Sequence, residues 1–330
     1  MGGADKVVRP DSARGYIGTN NVLTLIDQSH RTIVRATDKD DSRYLVLKRF
    51  VLGDSRTGIT SDSELDQPST SQGDPLFDIY SASDEPFYVA RETDITLDRL
   101  GNSHLWLSGP SGVGKTAALR RYGCKRGTRV IQVMLGSYRG ETPVGLIRAI
   151  CIEMAAIAGD SQMPSDDAPL FDLISFAKRA ALSLRSSAGL MLLIEEIPLP
   201  PGNLYKEFLS NCLQLALAID NSPADGAAIV LAFSSIQDPA QDIEPKSAKL
   251  RERVQFLKLG TWSEPDIIRL IDVLAPIIRP TLNSQERTKI SEASKGSPRF
   301  VKMLFRRWRN GTEEGVQLRS LLDSVGSEQL

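Results

Sequence analysis

The chain has 330 residues, with 40 Lys and Arg against 41 Asp and Glu, so its formal net charge is −1. Hydrophobic residues make up 41% and charged residues 25%, enough apolar content at this length for a sizeable core and roughly two domains. That balance excludes a wholly disordered chain, a collagen-like repeat, a disulfide scaffold and a globally basic nucleic-acid binder. The three cysteines, Cys124, Cys151 and Cys212, stand far apart, and the only histidines are His30 and His104. Zinc and redox motifs need close pairs of such residues, so the cysteines read as small apolar residues of a reduced protein. Met1–Arg14 is polar and charged and lacks a signal-peptide pattern. Apolar runs such as Ala227–Phe233 are far too short for a bilayer. A cytoplasmic protein with no membrane partner is expected.

In chain order, residues 1–57 read as a small amino-terminal extension. Within it, Thr32–Thr37 and Arg43–Leu52 are rich in Val, Leu, Ile and Tyr around the polar Asp38–Ser42, which predicts a β-hairpin. Residues 58–85 read as an acidic flexible linker. Thr60–Pro75 is mostly Ser, Thr, Asp, Gln, Gly and Pro, a composition that cannot offset the entropy of ordering it. The acidic character continues to Asp98, with Arg91 the only base between Gly58 and Asp98.

From residue 86 short apolar runs alternate with longer helix-like stretches. The runs are His104–Leu107, Arg129–Leu135, Leu190–Ile194, Ala227–Phe233 and Val254–Leu257; the stretches are Lys115–Tyr122, Pro143–Ile157, Leu170–Leu184 and Leu204–Ile219. Buried parallel strands read as continuous apolar runs and need crossover helices between them. An α/β fold with a parallel sheet is therefore predicted over 86–260. Glu264–Leu274, Ser284–Ser294 and Pro298–Trp308 predict a small α-helical lid over 261–310, with 311–330 as a carboxyl-terminal tail.

The strongest motif is Gly109-Pro110-Ser111-Gly112-Val113-Gly114-Lys115-Thr116, followed by Ala117. It matches G-x-x-x-x-G-K-[ST] in full and lies between a strand run and a helix run. Glycines let several backbone N–H groups converge on phosphate oxygens, and the following helix start adds partial positive charge. Lys115 is expected to reach the β- and γ-phosphates of ATP, and the Thr116 hydroxyl to hold Mg²⁺. The run Leu190–Ile194 ends in Glu195 and Glu196, a buried strand closing on two acids as in a Walker B motif. Glu195 stands where that motif usually has Asp and is the second expected Mg²⁺ ligand. Glu196 is the expected catalytic base for the attacking water.

With these motifs the chain resembles the AAA+ superfamily, in the branch shared by STAND signalling ATPases and the origin-recognition and transposition ATPases. The resemblance spans about residues 86–308. Tyr88-Val89-Ala90-Arg91-Glu92-Thr93-Asp94 is similar to an element that folds against the adenine in those families. Ser234-Ser235 after the fourth run resembles the sensor 1 strand, which implies Ser235 near the γ-phosphate. Gly296-Ser297-Pro298-Arg299 resembles the sensor 2 motif, which implies that Arg299 touches the phosphates from the lid. Arg251 and Arg253 lie where a neighbouring subunit's arginine finger commonly sits, and Ser137 where a polar residue restrains the catalytic acid.

The resemblance implies a regulatory ATPase that assembles with itself when ATP is bound and controls a separate effector protein, as in bacterial defence. A DNA-bound loader or targeting factor is the alternative. It would use Lys115, Arg120, Arg121, Lys125, Arg126 and Arg129 with Arg299, Lys302, Arg306, Arg307 and Arg309 as its track. The acidic stretch 58–98 is an equally available intramolecular partner for both clusters. A nucleotide-bound scaffold that never hydrolyses is the third reading, prompted by Glu195.

Overall fold

The five apolar runs form five parallel strands: β1 (His104–Ser108), β2 (Arg129–Met134), β3 (Leu190–Glu195), β4 (Ile229–Ser235) and β5 (Val254–Lys258). Their order across the sheet is β2-β3-β4-β1-β5. The register sets Leu105 beside Ala232, Trp106 beside Phe256, Ile131 beside Leu192 and Leu193 beside Ala232. Every residue of β1 and β3 is buried, whereas the edge strands β2 and β5 keep exposed and half-buried positions. That is why the three central runs are apolar without interruption, while the edges admit Arg129, Gln132 and Lys258.

The computed structural model describes residues 73–159, 163–221, 226–242, 252–279 and 281–310, all within one unit, Ser71–Leu330. The expected extension 1–57 with its hairpin, residues 58–72, Arg251 and the tail 311–330 lie outside the described residues.

Helices cover both faces of the sheet. On one side α1 (Glu92–Arg99) and α2 (Lys115–Lys125) pack through Leu97, Leu119 and Tyr122 on Leu105, Leu107, Met191 and Leu193. On the other, α3 (Pro143–Ala158), α4 (Leu170–Leu184) and α5 (Asn203–Asp220) cover Trp106, Leu192, Ile194, Leu231 and Phe233. Trp106 stacks on Phe233 with ring centroids 4.6 Å apart. Cys151 and Cys212 are buried in this layer and Cys124 is half-buried. Among the described residues no helix is long and apolar enough to cross a membrane.

The lid is α6 (Glu264–Ile278), α7 (Ser284–Ser294) and α8 (Pro298–Asn310), around a separate core of Ile267, Ile271, Leu274, Ile290, Phe300, Val301, Leu304 and Phe305. Leu76 and Val89 belong to that lid core although they precede the sheet. The expected linker therefore ends earlier than residue 85. Leu76 and Tyr80 are only 1% and 2% exposed, and Ala82–Phe87 is a 3₁₀ helix. The cause is visible in Leu76-Phe77-Asp78-Ile79-Tyr80, an apolar cluster that the surrounding acids conceal.

This strap also answers where the two basic clusters go. At its lid end, Asp74 pairs with Arg309 at 2.8 Å, Asp78 with Arg306, and the Phe77 carbonyl accepts from Lys302 at 3.0 Å. At its core end, Glu85 takes both arms of Arg121 at 2.7 and 2.6 Å, and Tyr80 donates to Glu85 at 2.7 Å. Lys125 lies 3.4 Å from Asp98, Arg126 donates to the Asp98 carbonyl at 3.1 Å, and Arg129 to that of Leu184 at 3.3 Å. Most of the supposed nucleic-acid track is thus engaged within the chain.

Candidate nucleotide site

The phosphate loop leaves the sheet at the carboxyl end of β1. Its first residue is anchored from the neighbouring strand, where the Gly109 N–H donates to the Ser235 carbonyl at 3.1 Å. Gly109 has φ +149°, and a β-carbon there would lie 2.2 Å from the Leu259 carbonyl oxygen, so no other residue fits. Gly114 caps α2 in the left-handed region with φ +94°. The first intrahelical bond runs from the Ala118 N–H to the Gly114 carbonyl at 3.0 Å. The N–H groups of Lys115, Thr116 and Ala117 therefore precede the helix ladder and are free for an anion.

Lys115 folds back over its own loop, its Nζ donating to the carbonyls of Gly109 and Pro110 at 2.8 Å each. Burial pushes its ammonium below the usual range; Glu195 opposes that shift, and Arg299 adds to it. Thr116 Oγ1 donates to Glu195 Oε1, and Gln132 Nε2 donates to Glu195 Oε2. Burial pushes the Glu195 carboxyl above the usual range, partly offset by those two donors, and Glu196 adds to the rise. A hydroxyl and a buried carboxylate in contact at the helix start are hard oxygen donors of the kind Mg²⁺ prefers. No Lys or Arg among the described residues forms an ion pair with Glu195. The expected pair Thr116 and Glu195 thus fits a bound Mg²⁺.

Glu196 is exposed and has φ +55°, an uncommon conformation for a residue with a side chain and one that clusters at functional sites. Its carboxylate lies over Gly136 at the end of β2, where an added β-carbon would come 2.2 Å from Oε2. Ser137 is the next residue.

The lid reaches the loop through two turns. Arg299, exposed at the start of α8, lies against Gly112, whose β-carbon would be 3.1 Å from that of Arg299. Trp262, in the turn after β5, donates its indole N–H to the Val113 carbonyl at 2.9 Å. Arg91 completes the group, its guanidinium carbon 4.6 Å from the centre of the Trp262 ring. Val89 is buried in the lid core, and Tyr88 donates to Asp94 at 2.7 Å beneath Arg121. Burial pushes the Tyr88 phenol well above the usual range, and Asp94 adds to it.

Two expected contacts are placed differently. The Ser235 hydroxyl accepts from the Trp106 indole at 2.9 Å and donates to the Gln237 carbonyl. It faces the layer of α3 to α5, away from α2, so only its carbonyl serves the loop. By strand alternation Ser234 shares the face of Glu195. Arg253 lies at the opposite, amino-terminal end of the sheet, 3.6 Å from Asp220. There Asp220 also meets His104, whose Nε2 is 3.1 Å away while its Nδ1 accepts from the Leu231 N–H at 2.9 Å. Within one chain Arg253 does not join the site. Gln132 and Trp262 were not anticipated. A polar residue inside the run Arg129–Leu135 is a legible signal for Gln132, whereas Trp262 carries none.

No family model matches the sequence, and no curated protein is significantly similar to it. Solved structures share the fold. The ORC1 protein of Aeropyrum pernix, solved in complex with DNA, matches with TM-score 0.52 at 15% identity over 77% of this chain and 68% of that one. A Walker-type ATPase of Pyrococcus abyssi matches with TM-score 0.52 at 15% identity, over 76% and 75%. The ORC2 protein of Aeropyrum pernix, solved as ADPNP–ADP complexes, matches with TM-score 0.51 at 14% identity, over 77% and 70%. The fold is therefore α/β, a five-stranded parallel sheet followed by a helical lid, as the sequence predicts, and these solved structures share it.

Proposed function

We propose that this chain binds ATP with Mg²⁺ and hydrolyses it slowly to ADP and phosphate, and that the angle between lid and sheet domain is its output. One observation carries the reading. Lys115, Arg91 and Arg299, from the loop, the segment before α1 and the lid, converge on residues 109–114, and none of the three pairs with a carboxylate among the described residues. Three cations drawn together, none of them paired with a carboxylate, leave room for a polyanion.

In this reading Lys115 exchanges its two carbonyl acceptors for phosphate oxygens, and the loop N–H groups hold the remaining oxygens. Thr116 and Glu195 hold Mg²⁺, which when bound neutralises phosphate charge. Glu196 accepts a proton from the attacking water as its oxygen bonds to the γ-phosphorus and the bond from that phosphorus to the β–γ bridging oxygen breaks, ADP leaving with the electron pair. Arg299 contacts the phosphates from the lid, so loss of the γ-phosphate releases the lid. Self-assembly, with Arg251 or Arg253 serving the neighbouring subunit's site, agrees with the position of Arg253 far from its own loop. Control of a separate effector, as in bacterial defence, rests on the resemblance. The pairing of both basic clusters weighs against the DNA-targeting alternative, which requires ATP-dependent retention on DNA that falls steeply with salt.

The test is ATP binding, phosphate release and mass by light scattering, with ADP and with ATP. Glu196→Gln should keep ATP binding, lower phosphate release by about 10²-fold or more and lock on an ATP-dependent assembly. Binding without phosphate release above a Lys115→Ala control would leave the scaffold reading in its place. A monomer in every nucleotide state would remove the assembly.

A further inference from the structure

Trp262 is partly buried in the turn that joins β5 to the lid, and three separate constraints fix it. Its indole N–H is bonded to Val113 in the phosphate loop at 2.9 Å. Its own N–H donates to the Gly296 carbonyl at 2.9 Å, at the turn that launches α8 and Arg299. Gly296 has φ +77°, and a β-carbon there would lie 2.6 Å from the Trp262 carbonyl oxygen. The two lid turns facing the loop are thus locked to each other, and Trp262 is the member that grips the loop.

Arg91 lies on the ring of Trp262. Its Nη2 is 3.9 Å from where a β-carbon of Gly114 would sit. Its Nε is buried and has no hydrogen-bond partner, and no carboxylate pairs with the side chain among the described residues. A buried cationic donor left unmatched is costly unless something else supplies an acceptor. The indole face holds the guanidinium in position by cation–π attraction but cannot satisfy its N–H groups. The neighbouring Asp94 carboxylate is taken: it serves the Arg91 backbone N–H and the Tyr88 hydroxyl, at 2.8 and 2.7 Å.

We infer that Trp262 is a positioning residue for the nucleotide: it holds the Arg91 guanidinium over the phosphate loop, where Arg91 meets an acceptor of the bound nucleoside triphosphate. Through its bond to Val113 it also makes the lid turn sensitive to occupancy of the loop. This role rests on the ATP-binding reading and extends it to a residue outside every motif of the sequence.

The experiment is a binding cycle with ATP on the full chain, read by calorimetry and by hydrogen exchange of the lid amides. Trp262→Leu should weaken ATP binding about 10-fold, the scale of a desolvated cation–π contact, and Arg91→Gln by a similar factor. The double variant should be no weaker than Arg91→Gln alone, because one residue acts through the other. Trp262→Phe keeps a ring for Arg91 but loses the bond to Val113. It should bind ATP within about 3-fold of the parent while losing the ATP-dependent protection of the lid amides. Losses that add in the double variant, or wild-type affinity in Trp262→Leu, would overturn the positioning role. A parent chain that binds no ATP would overturn the ATPase reading and this role together. Where Trp262→Leu fails to fold, the Trp262→Phe exchange test and Arg91→Gln decide the matter.

Discussion

The phosphate loop and the strap of residues 74–87 are both crowded with charge, and they use it in opposite ways. In the strap each base meets an acid or a carbonyl: Arg121 with Glu85, Arg306 with Asp78, Arg309 with Asp74, Lys302 with Phe77. At the loop, Lys115 rests on carbonyls, Arg91 on an aromatic face, and Arg299 against a glycine. Paired charge fixes a structure, whereas like charge gathered without partners is held for something that arrives later. The basic clusters in the sequence do not reveal this difference, because what separates Arg121 from Arg299 is the carboxylate each one meets in three dimensions.

The sharpest way to break this contrast is to remove one cation from each side. Lys115→Ala should weaken ATP binding about 100-fold, the worth of charge-assisted hydrogen bonds to phosphate. It should leave the nucleotide-free Tm nearly unchanged, because burial already disfavours that charge. Glu85→Ala should do the reverse. It leaves Arg121, 6% exposed, over the Tyr88 ring and with Asp94 at 3.8 Å as its remaining carboxylate. An orphaned buried cation costs about 3–5 kcal/mol; since the Glu85 side chain is itself 41% exposed, about 2–3 kcal/mol is expected. That corresponds to about 5–10 °C in Tm, with ATP affinity retained once folded. If Glu85→Ala lost affinity and kept its Tm, the strap would belong to the site.

Glu195 sits on the boundary between the two behaviours, being buried, proposed as a Mg²⁺ ligand and hydrogen-bonded by Thr116 and Gln132. Its carboxyl is raised above the unfolded value, so the folded state binds that proton more tightly than the unfolded state. Its contribution to stability is therefore present below pH 4.5 and is lost as pH rises through the folded pKa. Glu195→Gln should raise the nucleotide-free Tm at neutral pH by about 2–4 °C and depress phosphate release. A lowered Tm would show that Thr116 and Gln132 stabilise the charged form more than burial penalises it.

The sheet was legible because the central strands are buried on both faces and so leave unbroken apolar runs. The loop Gly109–Thr116 and the acids Glu195 and Glu196 stand out because phosphate-binding motifs have fixed residue types at fixed spacing, and the structure sets Thr116 against Glu195. The strap was not: Leu76, Phe77 and Tyr80 are scattered among Asp74, Asp78, Asp84 and Glu85, and composition over that window reads as linker. Ser235 was assigned to the phosphates from its place in a motif, yet strand alternation turns its side chain towards Trp106. Trp262 follows no pattern at all, since its role comes from the lid folding back 149 residues to Val113.

The smallest expected effect tests whether the strap's lid end is as fixed as its core end. Lys302 lies 3.2 Å from the centre of the Phe77 ring. Burial lowers its ammonium from 10.5 to about 8; Arg306 adds to the shift, while Asp78, Asp74 and Asp84 oppose it. In the folded chain Lys302 therefore loses its proton near pH 8, whereas the unfolded chain keeps it to about 10.5. Between those values the unfolded state holds more protons, so this residue's contribution to stability rises with pH. Lys302→Met retains the apolar stem and never titrates. The Tm of the parent should gain on that variant by about 1–2 °C between pH 8 and 8.5, even as other groups lower both. A gap that stays constant would mean that the ammonium remains solvated, and that the lid end of the strap opens where the core end does not.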